Sequence, residues 1–143
     1  MSMLATAELP VPLPWHRHVT ARCAVTVARL LVLLPPRRLH QALRAASAGT
    51  HPATAAEALA ARQAVVTVSP RCGGQGCLQR SAATALLCRL HGTWPDWCTG
   101  VRTQPFRAHA WVEADGSAIG ESEDTTLYHE TLTVRHRRSR SSF

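Results

Sequence analysis

At 143 residues and 15.5 kDa the chain fits one domain and leaves no room for two separate cores. Its 45% hydrophobic content excludes wholesale disorder, while 8 glycines, 9 prolines and the lack of a sustained heptad exclude collagen-like, linker and coiled-coil chains. The net charge is +7, but the arginines that carry it are scattered outside the tail at 136–140, which reads as a solvated terminus and not as a nucleic-acid footprint.

Residues 8–14 alternate proline with apolar residues and predict an extended lead-in. Over 19–34 the spacing predicts a helix in which Arg22, Thr26 and Arg29 form a narrow polar stripe on an otherwise apolar rod. Such a rod has to be covered, by the rest of the domain or by a partner. Arg29 interrupts it and Pro35 and Pro36 stop it, short of the ~20 apolar residues of a spanning helix. The first five residues lack a basic segment followed by an apolar one. A cytoplasmic protein with reduced thiols and no membrane contact is therefore expected.

Pro36 suits the first turn of a second helix, with Leu39, Ala42, Leu43 and Ala46 on one face and Gly49 as its stop. Thr54 and Glu57 form the capping box of a third helix running to about Val66. Pro70, Gly73, Gly74 and Gly76 make a break, after which a fourth helix covers about 77–90, with Arg89 and His91 in its last turn and Gly92 ending it. The period then changes. Strands are predicted over 97–102, 107–113 and 117–121, the last two joined at Asp115 and Gly116, and a final one over about 127–134. Helices followed by an antiparallel sheet read as an α+β fold. The chain divides into a helical region at 1–50, a core at 51–134 and a basic tail at 135–143 within a single domain.

Two features carry chemistry. Gly73, Gly74, Gln75 and Gly76 deliver Cys77 to the start of a helix, where unpaired amides and the dipole favour a thiolate. His109 lies in a strand and supplies a base, whose protonated form lowers the thiol pKa further. Backbone amides near Gly76 and the Gln75 side chain are candidate donors to an oxyanion. An acid has to orient the imidazole. A three-residue loop at 114–116 places Glu121 opposite His109, whereas a two-residue turn at Asp115 and Gly116 places Ser122 there and turns Glu121 away. Glu121 leads, with Glu123, Asp124 and Glu113 open as alternatives.

The competing reading makes Cys77 a buried small hydrophobe and His109 a satisfied core histidine. Cys72, Cys77, Cys88, His91 and Cys98 lack the paired CxxC knuckles of structural zinc sites, so no metal is expected. Arg80 and Ser81 share the face of Cys77 one turn on, and Arg80 reads as an anchor for a nearby carboxylate or carbonyl.

The stretch 52–121 resembles the lasso peptide maturation protease, the transglutaminase-like, papain-like cysteine protease that removes the leader from a lasso precursor. The resemblance rests on Cys77, Leu78, Gln79, Arg80 and Ser81 opening an apolar helix, and on the run from Phe106 to Glu113, containing His109, Ala110 and Trp111, before an Asp-Gly turn. Ala61, Arg62, Gln63, Ala64 and Val65 match upstream. It implies Cys77 as nucleophile, His109 as general base and Glu121 as third member, where the family usually has aspartate. Ser81 is followed by alanine where leucine is more usual. The resemblance also implies a precursor peptide as substrate, no cofactor, and two partners: a small leader-recognition protein and an ATP-using macrocyclase.

Overall fold

The computed structural model describes residues 12–69, 76–103, 106–121 and 125–135. Helix α1 spans Trp15–Leu31, four residues earlier than the spacing predicts because Pro14, fixed in an extended conformation, forms its N-cap. It buries Ala21, Ala24, Val25 and Ala28, a face of small residues that lets neighbouring helices approach closely. The covering expected for this helix is only half realised. Val19, Val27 and Leu30 point to solvent, and so does Trp15, because the alanine stripe and not the larger side chains faces the core.

Helix α2, Pro36–Ser47, has proline in its first turn and buries Leu39 and Leu43. Helix α3, Ala55–Val68, carries the expected capping box: Glu57 N–H donates to Thr54 Oγ1 at 3.1 Å, and Thr54 N–H to Glu57 Oε1 at 2.9 Å. Helix α4, Cys77–Leu90, is buried on nearly every side, by α1 and α3 on one flank and the sheet on the other. Two short strands not legible in the sequence, β1 (His51–Pro52) and β2 (Thr93–Trp94), pair in parallel and bracket α3 and α4.

The main sheet is antiparallel, in the order β5-β4-β3-β6, with β3 at Asp96–Thr103, β4 at Phe106–Ala114, β5 at Ser117–Ala118 and β6 at His129–Val134. The fold is α+β, as expected. The strand predicted over 117–121 is only two residues long, since Gly120 leaves the extended region at φ 69°. The start predicted near 127 is a 3-10 turn, Thr125–Leu127.

Two apolar layers back the sheet. Leu39, Leu43, Ala85, Trp94, Trp97, Val112 and Ile119 fill the space between helices and sheet, and Trp97 Nε1–H donates to Ser81 Oγ at 3.1 Å. Cys98, Trp111 and Tyr128 cluster separately. Gly100 is where β3 lets this second layer close. A Cβ there would lie 2.9 Å from the His129 carbonyl oxygen and 3.1 Å from both Trp111 and Tyr128. Gly100→Ala is therefore expected to cost about 1–3 kcal/mol, read as a lower midpoint in denaturant at unchanged slope. An unchanged midpoint would show that the strand yields freely at this point.

Candidate active site

Cys77 is the first residue of α4, and Gly76 at the N-cap has no side chain with which to cap the opening turn. Amides in that position have no intrahelical acceptor and carry the positive end of the dipole. Strand β4 provides what faces the sulfur. Ile119 N–H donates to the Val112 carbonyl at 2.9 Å, so the polar groups of Val112 point to the outer edge of β4, and so do those of Ala110 two residues back. Ala110 N–H and the His109 imidazole both hydrogen-bond the Cys77 sulfur.

On its other side the imidazole meets Glu121, with Nε2 and Oε1 2.5 Å apart, which leaves Nδ1 for the thiol. Trp111 stacks on the ring at 5.8 Å between centroids, and Tyr128 lies against it at 5.6 Å. The side chains of His109 and Glu121 are 14% and 6% exposed, so this contact is little screened by water.

The electrostatics follow from these contacts. Burial alone would hold the His109 imidazolium down, but hydrogen bonds to Cys77 and Glu121, with their charges, outweigh it and push the pKa up to about 9. Burial likewise opposes the Cys77 thiolate, yet the hydrogen bonds from His109 and Ala110 and the charges of His109 and Arg80 bring the thiol below its ordinary value. Both shifts favour one state, a thiolate beside an imidazolium. The other described cysteines behave differently. Burial pushes the Cys88 thiol up to about 12, and burial reinforced by Glu113 pushes Cys98 up as well. Cys23 is exposed.

The route by which Glu121 reaches His109 differs from both expectations. The hairpin has the two-residue turn, with Ala114 paired to Ser117 and both Asp115 and Gly116 at positive φ. A continued strand in that register would turn Glu121 away. Pairing ends instead after Ile119, and the left-handed bend at Gly120 swings Glu121 back to the imidazole. Glu113 is occupied elsewhere, accepting from Trp111 Nε1–H at 2.9 Å and from Arg135 at 3.2 Å. Gln75, Glu123, Asp124, Ser122 and Cys72 lie outside the described residues.

Among the described residues, Cys77, Cys88, His91 and Cys98 do not converge on a common point. The group that does, Cys98, Glu113 and Glu130, has Arg135 donating to both carboxylates, which supplies the positive charge a metal would bring. Two side chains near the site received no role from sequence reasoning. Tyr128 carries no signal in the sequence. Arg62 does: it lies four residues after Ala58 and beside Ala61 and Val65, an arginine on the buried face of a helix.

A thiol acidified by an imidazole at the head of a buried helix, on an α+β frame, is the arrangement of cysteine-dependent peptidases and acyltransferases. The model of the transglutaminase-like superfamily matches residues 21–133, and the chain belongs to that superfamily. The match begins within α1, so most of the helical region belongs to the family's extent. No curated protein and no solved structure matches the chain. Among the described residues no helix is long and apolar enough to cross a membrane.

Proposed function

We propose that the protein is a cysteine peptidase that removes the leader from a lasso peptide precursor. The observation that carries the peptidase reading is the cluster of Cys77, His109 and Glu121, in which one cysteine of those described is driven toward its thiolate while Cys88 and Cys98 are driven away from theirs. The substrate class rests on the resemblance of the blocks around Cys77, His109 and Arg62 to the lasso maturation protease. It brings with it a small leader-recognition protein and a macrocyclase as partners.

In this mechanism the Cys77 thiolate adds to the carbonyl carbon at the leader–core junction. The amides of Gly76 and Cys77, with Gln75 as a further donor, stabilise the oxyanion. The His109 imidazolium gives its proton to the departing amine, the carbon–nitrogen bond breaks, and the leader remains on Cys77 as a thioester. Neutral His109 then takes a proton from water, which attacks the thioester and releases the leader acid and the thiolate. Glu121 keeps the imidazole oriented and favours its charged form throughout.

Incubating precursor with the protein and its leader-binding partner is expected to yield free leader acid and core peptide, resolved by mass. An amine adduct in place of the acid would mark transfer to an amine acceptor instead, and intact precursor at full thiol occupancy would remove the proposal. The cleavage rate is expected to be bell-shaped in pH. It rises as the thiol, below its ordinary value, loses its proton. It falls as His109 deprotonates near pH 9, because the leaving amine then lacks its acid. An upper limb near the free imidazole value would show that the contacts with Cys77 and Glu121 that hold this pKa up are not made in solution.

A further inference from the structure

We infer that Arg62 on α3 is a positioning residue that holds Glu121 against His109; the inference rests on the triad proposed above. Arg62 Nη2 lies 3.8 Å from Glu121 Oε2, while the other carboxylate oxygen, Oε1, is the one that meets His109 Nε2. The carboxylate is thus divided between a guanidinium and the imidazole. Both side chains of the ion pair are almost closed to water, at 7% and 6% exposure, where a charge interaction is strong and an unpaired charge is costly.

The need for such an anchor lies in the chain path. Glu121 stands past the end of the two-residue β5, beyond the last backbone hydrogen bond described for this hairpin, that of Ile119. A long side chain on an unladdered segment has many rotamers, and only one of them reaches His109. Arg62 limits this choice twice. Its charge draws Oε2, and its side chain packs closely against Gly120, the residue just before Glu121. A Cβ on Gly120 would be 2.7 Å from Arg62 Cδ, 2.8 Å from Nη1 and 2.9 Å from Cζ. Glycine at 120 therefore serves the bend at φ 69° and also gives the guanidinium its place.

At 3.8 Å the contact is an ion pair and not a hydrogen bond, so charge matters more than the fork of the guanidinium. Lysine should accordingly replace Arg62 in part, whereas methionine, of similar length without charge, should not.

The test follows the rate of Cys77 alkylation by iodoacetamide against pH, which needs no peptide substrate. In Arg62→Met the midpoint is expected to move up and the rate near pH 6.5 to fall about tenfold, as the imidazolium loses its held partner. Arg62→Lys is expected to stay within about threefold of the parent. Placed in a Glu121→Gln background, Arg62→Met should shift the midpoint no further, since a residue acting through Glu121 has nothing left to act on. An unmoved midpoint in Arg62→Met, or an equal shift in both backgrounds, overturns the inference while leaving the triad standing. An ordinary thiol midpoint in the parent protein removes the triad reading and this inference with it. Should Arg62→Met fail to fold, Arg62→Gln, which leaves a polar group in the buried site, makes the same comparisons.

Discussion

Cys77→Ala is expected to abolish cleavage of the precursor, by at least about a thousandfold, while leaving the thermal unfolding midpoint close to that of the parent. The sulfur is the only atom lost, and alanine is well tolerated in the first turn of a helix. Cys88→Ala and Cys98→Ala should behave in the opposite way. Both side chains are buried in apolar clusters, so each leaves a small cavity, lowers stability and spares the chemistry. Precursor turnover and a denaturant curve on the three variants separate the roles. Full activity in Cys77→Ala would end the cysteine peptidase reading.

The second large effect is expected at Glu121, where charge and reach can be separated. In Glu121→Gln the amide oxygen still accepts a hydrogen bond from Nε2–H, so the loss is chiefly that of charge. The imidazolium pKa, about 9 in the parent, then falls toward the ordinary histidine value and the upper limb of the pH–rate profile moves down with it. Turnover near neutral pH should drop by about ten- to a hundredfold. Glu121→Asp keeps the charge but is one methylene shorter. The lasso maturation proteases that the chain resembles usually carry aspartate at this position, yet in this chain the bend at Gly120 and the Arg62 side chain against it set the backbone where glutamate spans the gap of one hydrogen bond. Glu121→Asp is expected to lower turnover with little movement of the upper limb in the fraction that still reaches His109. Retained activity in both variants would show that another group orients the imidazole.

The α4 helix and its neighbours were legible because their signals are local. The capping box at Thr54 and Glu57, proline at position 36, glycine at 92 and the apolar run after Cys77 depend on residues within one or two turns of each other, and each element stands where that chemistry places it. Cys77 and His109 stand out for a similar reason: a thiol after glycines at a helix start, and a histidine inside a strand, are features of the near sequence. Local rules lose their hold where contacts distant in the chain decide the outcome. The alanine stripe of α1 and its exposed Val19, Val27 and Leu30 cannot be told apart by hydropathy alone, because which apolar face is buried depends on the closeness of approach that small residues permit. Glu121, the leading acid, does meet His109, but not by the three-residue loop that would bring it there: in the two-residue register alternation points it away, and one glycine at positive φ ends the alternation.

The sequence by itself determined the α+β order, the starts of α2, α3 and α4, and the choice of Cys77 and His109 as the pair with a thiol and an imidazole to bring together. Only the tertiary structure decided which acid meets that base, because Arg62, 59 positions from Glu121 along the chain, and the bend at Gly120 act together through space. The same holds for the thiol pKa values. Cys77, Cys88 and Cys98 are the same chemical group, and what separates them is whether folding brings an imidazole and a backbone amide to the sulfur, or leaves burial to outweigh the help of Thr93 at Cys88 and of Arg135 at Cys98.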